Sequence, residues 1–318
     1  MRKITVVISL FFTINCFAYN HNAWRGWVRS FKPIAMKGGI HAQIFDPIFQ
    51  GLTPSRSHMS LAKKQPEHRL TYYKYRNSRG DNYRIQLGKK YYRQNKTMLN
   101  QIGHEYGVNP CFIVALWGLE SSYGHFMGNF DVIRSLATLS YMGHRRLFFE
   151  KQLVFALRML QNGVIDRKDF KGEWAGASGQ TQFMPSSWYN YAVDYNGDGK
   201  KDIWKTKADI FASIANYLRQ NGWEKNQYPS VLTKVVLPNN FDNDLLSLKV
   251  TKTVREWHHL GVRFAENIRV NPNREASIIQ PYGGPTIMIF ENFRVLMRWN
   301  YSSYYAGTVN YVAQRICQ

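Results

Sequence analysis

Apolar residues recur every three to four positions over much of the chain, the spacing that lines one face of a helix. This pattern predicts helices over residues 90–106, 110–123, 131–141, 144–162 and 207–221, with a shorter one at 27–36 and a last one at 304–316. After Trp223 the pattern changes. Residues 231–237 and 278–290 are rich in β-branched side chains, and Pro281-Tyr282-Gly283-Gly284-Pro285 marks a tight connection between extended runs. A β-rich segment over 226–297 therefore follows a helical body, and the fold class is α+β, mainly α. No internal repeat or low-complexity linker divides the chain.

One predicted helix contains an anomaly. In "ALWGLESSYG", residues 115–124, a single carboxylate, Glu120, ends a run of apolar and small residues. Asn109-Pro110 is a strong helix start and Gly124 a natural stop, so Glu120 falls in the last turn. Ile113, Leu116 and Trp117 lie one and two turns back on the same face, which packs inward. The helix C-terminus, the negative end of the macrodipole, also opposes an ionised acid there. Both effects favour the protonated form, which suits a group that must donate a proton near neutral pH. The plainer alternative is a Glu that reaches solvent or pairs with an arginine.

Two further stretches carry chemistry. "GEWAGASGQTQFMPSSW", residues 172–188, combines Gly172, Gly176 and Gly179 with Gln180, Thr181 and Gln182. Neutral hydrogen-bonding groups on a bare backbone suit an uncharged polar ligand such as an acetamido sugar; a tight loop leading into a helix at Pro185 is the alternative. In "DYNGDGKKDIW", Asp194, Asn196, Asp198, Gly199 and Asp202 fall at positions 1, 3, 5, 6 and 9 of a calcium loop, with the Lys200 carbonyl at position 7. Position 12 is Lys205 rather than Glu, so Asp209 would have to supply the bidentate ligand. Lys200, Lys201, Lys205 and Lys207 weaken a divalent site, and an Asx-rich turn remains the competing reading. Ser178 does not form a nucleophile elbow, because Gln180 stands where the closing Gly is needed. Neither HExxH nor a phosphate-binding GxxxxGK[ST] occurs.

Composition adds partners and compartment. The formal charge is +21 over 318 residues, and loss of Arg2 and Lys3 would leave about +19. A polyanion is the natural partner: nucleic acid, anionic lipid or bacterial wall. Between residues 61 and 96, basic residues from Lys63, Lys64 and Arg69 onward interleave with six tyrosines. That stretch could stack bases, or form a solvated basic face with tyrosines half-buried behind it. Residues 1–18 read as a signal peptide: Arg2 and Lys3, an apolar run over 4–14, then Cys16-Phe17-Ala18. Thr13-Ile14-Asn15 lacks the small residue that lipidation of Cys16 would need, which favours export over anchoring. In the mature chain Cys111 and Cys317 could pair, or stay as buried thiols.

"IVALWGLESSYGHFMGNF", "SLATLSY", "KGEWAGASGQTQFMPSSWYNYAVDYNGDGKKDIW", "ADIFASIANYLRQNGW" and "NFRVLMRWNYSSYYAG", in this order, resemble the lytic murein transglycosylase B family of bacterial wall enzymes. "GIHAQIFDPIF" and "LTP" match its N-terminal region more loosely. The resemblance implies a goose-type lysozyme-like helical core with a small β region and an EF-hand-like loop. It divides the chain into a mainly helical 19–99 packing with a C-terminal helix at 298–318, a catalytic core at 100–225 and the β-rich 226–297. It also implies a periplasmic monomer that cuts peptidoglycan glycan strands between N-acetylmuramic acid and N-acetylglucosamine, in company with other wall enzymes and without nucleic acid. The muramyl 6-hydroxyl rather than water attacks, leaving a 1,6-anhydro end. Ordinary glycosidases use two carboxylates; here Glu120 matches a single acid and base, and no cofactor enters the chemistry. Gln182, Phe183, Tyr217 and Asn300 match groove residues. Asp194, Asn196, Asp198, Lys200 and Asp209 match the calcium loop. Three positions depart from the family pattern. Glu173 replaces a usual Ser beside the groove, where a second carboxylate would raise the proton affinity of Glu120 or assist a water, unless it is simply exposed. Trp299 replaces a usual Tyr and Arg134 an acid, and neither departure bears directly on the catalytic assignment.

Overall fold

The computed structural model describes residues 20–55, 70–143, 145–225 and 227–318. The expected signal peptide, Cys16, and Lys63, Lys64 and Arg69 of the basic stretch lie outside the described residues.

The first helix, His21–Lys37, is longer than its sequence pattern suggested, because Asn20 caps two backbone N–H groups and Trp24, Trp27, Phe31 and Ala35 form a continuous buried stripe. Ala42–Phe49 and Tyr72–Arg79 are helices that the polar, punctuated sequence hid. The predicted 90–106 helix is two, Asn82–Gln94 and Lys96–Tyr106, hinged at Asn95. Asn95 breaks the run by turning its side-chain amide back onto the Tyr91 carbonyl, an alternative to the helical ladder. The central helix, Pro110–Ser121, starts as its sequence implies: Asn109 accepts the Cys111 N–H and Pro110 occupies the first turn. Val132–Met142, Arg146–Gln161, Pro185–Tyr191 and Lys207–Gln220 complete the helical body.

One hydrophobic core runs through this body and into the closing helix, Ser303–Cys317. That last helix packs on the central helix and on Asn82–Gln94 and Tyr72–Arg79, so the N-terminal helices and the chain end share one layer. Tyr72 and Tyr75 are buried, and Tyr91 packs on Trp117 and Tyr123, which accounts for much of the tyrosine richness.

A short pair, β1 (Phe130–Asp131) and β2 (Lys171–Gly172), lies beside the helical body. The β-rich part is a separate five-stranded antiparallel sheet of β3 (Leu232–Val236), β4 (Lys252–Thr253), β5 (Arg263–Phe264), β6 (Glu275–Ile279) and β7 (Ile287–Ile289), in the order β4-β6-β7-β3-β5. The predicted 278–290 run is the β6–β7 hairpin, with Ser277 opposite Ile289. Trp257, on the short helix Val254–His259, fills the sheet's own small core with Val235, Ile278, Met288 and Phe290. Helix Glu291–Trp299 then returns the chain to the main body.

Cys111 and Cys317 form a disulfide. It joins the start of the central helix to the end of the closing helix. A disulfide of this kind belongs to an oxidising compartment.

Candidate active site

Glu120 occupies the penultimate position of the central helix, whose end is shaped by three successive left-handed residues, Ser122, Tyr123 and Gly124. Tyr123 folds back so that its ring lies over Gly118 and its hydroxyl donates to the Arg84 carbonyl. A Cβ on Gly118 would sit 2.5 Å from the Tyr123 ring. Gly118→Ala is therefore expected to cost about 1–3 kcal/mol of stability by overpacking, outweighing the helix propensity alanine brings; urea midpoints of the two proteins measure it. Arg84 closes the same helix end, donating Nε to the Gly118 carbonyl at 3.1 Å and Nη2 to Ser122 Oγ at 3.1 Å. That places a cation at the negative end of the macrodipole.

The Glu120 side chain is half-buried: a rim stays open while crowded protein atoms strip most of its water. Two donors from the chain's end meet one oxygen, Oε1. Trp299 Nε1 donates at 2.8 Å, and the Tyr305 hydroxyl donates as well. Among the described residues, no hydrogen bond reaches Oε2. Burial pushes the Glu120 carboxyl from 4.5 up to about 7, against the lowering effect of the Tyr305 and Trp299 bonds and of the Arg79 charge. Tyr305 is held well above its ordinary value by burial and by the Glu120 charge, so it stays a donor. Trp299 reaches the acid from the last position of helix Glu291–Trp299. Arg134 keeps clear: it donates to Thr53.

Behind the acid stands an aromatic wall. Phe183 packs on Trp299 and Tyr217, at 5.4 and 5.9 Å between ring centres, and Tyr217 on Trp299 at 4.6 Å. Phe183 and Tyr217 are buried, and the Tyr217 hydroxyl donates to the Arg298 carbonyl. Asn300, next to Trp299, is exposed and ends its helix. Gln182 is half-buried in a left-handed turn, its amide donating to the Met127 and Gly179 carbonyls. Gln180 accepts from the Trp117 indole and donates to the Trp204 carbonyl. Thr181 is fully buried. The glycine-rich stretch is thus more a brace than an open rack of donors, and its glycines permit close approach: a Cβ on Gly172 would lie 2.2 Å from the Ala177 carbonyl oxygen. Glu173 is exposed, and no hydrogen bond or ion pair among the described residues ties it to Glu120. A cleft of about 940 Å³ lies around Asn109, Trp223 and Lys234 at the opposite end of the central helix, and its lining includes neither Glu120 nor Trp299 nor Tyr305.

The Asp194–Asp209 loop closes on itself. Asp194 accepts N–H groups of Gly197, Asp198 and Gly199, and Asn196 donates to Asp198. Asp198 in turn accepts the Lys200 N–H. Asp209, fully buried, spends one oxygen on the Tyr195 N–H and the other on that of Asp202. Burial, the largest influence, raises the Asp209 carboxyl, and those bonds oppose it. Among the described residues no cluster of three His, Cys, Asp or Glu side chains is arranged to hold a metal. In this arrangement the loop's carboxylates and Asn196 serve N–H groups of the loop itself, as an Asx-rich turn does.

Tyr305 and Arg84 escaped the sequence reading. Neither sits near Glu120 in sequence, and only the fold brings them together.

A mainly helical body presenting a half-buried acid at a helix end, with a small sheet alongside, defines a lysozyme-like enzyme fold. The family model described as the transglycosylase SLT domain matches residues 23–314, and the chain belongs to that family. It is 31% identical over 239 residues to the membrane-bound lytic murein transglycosylase B of Escherichia coli (strain K12), covering 73% of this chain and 63% of that protein's length. SltB3 from Pseudomonas aeruginosa, solved in complex with NAG-anhNAM-pentapeptide, superposes with a TM-score of 0.83 at 39% identity, covering 91% of this chain and 78% of SltB3. The Escherichia coli lytic transglycosylase Slt35, solved in complex with calcium, gives 0.80 at 28% identity, covering 95% and 94% of the two chains. Among the described residues, no helix is long and apolar enough to cross a membrane.

Proposed function

We propose that this chain is a peptidoglycan lytic transglycosylase in which Glu120 is the single general acid and base. The carrying observation is the proton-holding environment of Glu120, poised about pH 7 at a half-buried rim. The acid form protonates the glycosidic oxygen linking N-acetylmuramic acid to N-acetylglucosamine as the C1–O bond breaks. The resulting carboxylate takes the proton of the muramyl 6-hydroxyl while O6 bonds to C1. Glu120 is regenerated, the anhydro ring closes, and no water is consumed. The SltB3 complex with an anhydro-muramyl product supports this outcome for a relative with the same fold.

The alternative, a hydrolase pairing Glu120 with Glu173, draws no support from an exposed Glu173. Mass spectrometry of digested sacculi separates the two: anhydro ends are one water lighter than reducing ends, and a digest of reducing ends alone would defeat the proposal.

Around this centre, Gln182, Phe183, Tyr217 and Asn300 frame the glycan groove, Phe183 and Tyr217 as its backing. Residues 19–99 and 298–318 form one structural unit around the 100–225 core, with 226–297 as an appended sheet. The disulfide and the leader-like N-terminus support a periplasmic setting. The +21 charge suits a wall whose muramyl and peptide carboxylates are anionic. The chain works as a monomer on glycan strands, alongside other wall enzymes, and needs no nucleic acid and no metal for bond cleavage.

A further inference from the structure

Among the described residues, the two hydrogen-bond donors to Glu120, the Trp299 indole and the Tyr305 hydroxyl, converge on one oxygen. We propose that Trp299 is a positioning residue that pins Glu120 Oε1 as a permanent acceptor, so that Oε2 alone carries the travelling proton in both half-reactions. This rests on the transglycosylase reading of Glu120.

A carboxylic acid has one carbonyl oxygen, which accepts, and one hydroxyl, which donates. With the Trp299 N–H at 2.8 Å and the Tyr305 O–H both directed at Oε1, that atom is the carbonyl oxygen of the acid form. The hydroxyl is then Oε2. After proton transfer the same two bonds persist on the carboxylate, so the group need not rotate between acting as acid and as base. Oε2, which gave its proton to the leaving oxygen, is the atom left bare to receive the proton of the 6-hydroxyl.

An indole suits this task because it is a donor only. It cannot accept from the carboxylic acid, whereas a hydroxyl at the same place could turn and do so. The Trp299 ring is also held from behind, meeting Tyr217 edge-on and Phe183 at a tilt, with the Tyr217 hydroxyl tied to the Arg298 carbonyl one residue earlier. The N–H direction is thereby fixed by packing. The charged and titratable groups around Glu120 are Tyr305 from the closing helix, Arg79 from the Tyr72–Arg79 helix and Tyr217 from Lys207–Gln220. Arg79 favours the carboxylate from a distance, and the two tyrosines stay neutral, so the indole N–H is a directional contact whose removal the acid should register.

The test uses Trp299→Phe, which keeps an aromatic ring in the wall but removes the N–H along with part of the indole, and Trp299→Tyr, which returns a donor on a ring of similar size to that of Phe. Initial rates on purified sacculi, read as released anhydro-muropeptides across pH, give kcat, KM and the alkaline limb. The Glu120 carboxyl is also titrated directly by infrared difference spectroscopy, with Glu120→Gln as the blank. The expected result for Trp299→Phe is a fall in kcat of about tenfold, an unchanged KM, and a rise of both the alkaline limb and the infrared midpoint by roughly one pH unit. Trp299→Tyr should recover most of both. If Trp299→Phe is folded by near-ultraviolet circular dichroism yet loses rate with no movement of the infrared midpoint, the wall is merely structural and the proposal is overturned. Unaltered rate and midpoint overturn it too. Because the infrared titration needs no turnover, failure of the transglycosylase reading would show separately, as wild-type protein that titrates as described but releases no anhydro product.

Discussion

Glu120→Gln is expected to reduce anhydro-muropeptide release by about 10³-fold or more, since one side chain serves both proton transfers and each is worth 10²- to 10⁴-fold. The substitution is nearly isosteric. Its amide oxygen can keep the bonds from Trp299 and Tyr305 while its N–H₂ takes the place of Oε2 at the rim. A variant within tenfold of wild type would remove Glu120 from the chemistry. The wild-type rate should also decline as pH rises past about 7, when the acid form is lost.

The same substitution should stabilise the fold, and only in one pH window. Below about 4.5 folded and unfolded chains both hold the Glu120 proton, so nothing distinguishes them. Between 4.5 and about 7 the unfolded chain releases a proton that the folded chain retains, and stability falls as pH rises. Above 7 the folded chain bears the full cost of a poorly hydrated carboxylate. At about 1.4 kcal/mol per pH unit the ceiling is about 3 kcal/mol, and the open rim lowers it. Glu120→Gln should therefore melt a few degrees above wild type at pH 8 and level with it at pH 4. Equal midpoints at both would mean that Glu120 is well hydrated.

Removing the disulfide carries the second large effect. Cys111 and Cys317 are 206 residues apart, and on chain-entropy grounds a loop of that length restrains the unfolded state by about 5 kcal/mol, with 2–5 kcal/mol typical for native bridges. The Cys111→Ala/Cys317→Ala protein should lose stability in that range. Reductant should bring the wild type down to the same urea midpoint without moving the variant. A wild-type midpoint indifferent to reductant would contradict the bridge.

Local signals made the helical body legible. The Asn109-Pro110 start, the apolar stripe through Trp117 and the placement of Glu120 in the final turn all follow from nearest-neighbour physics. Helices Ala42–Phe49 and Tyr72–Arg79 were hidden for different reasons: the first is a short apolar run that contains Pro47, and the second is mostly polar, with Tyr72 and Tyr75 buried by packing against distant helices. Asn95 was read as a helix residue since its capping competition depends on where Tyr91 is anchored. The glycine-rich loop shows the same limit. Its amides looked available for a ligand, yet Gln180 spends its donor and acceptor on two tryptophans, one from the central helix and one from the aspartate-rich loop. Trp299 ends an amphipathic helix, but nothing local tells that its indole meets an acid 179 residues away.

Glu120 lies in the middle of the chain, whereas Trp299 and Tyr305 come from its last twenty residues. The acid's environment is therefore completed only when helices Glu291–Trp299 and Ser303–Cys317 have docked beside the core, so a chain with these helices undocked would hold the carboxylate without its two donors.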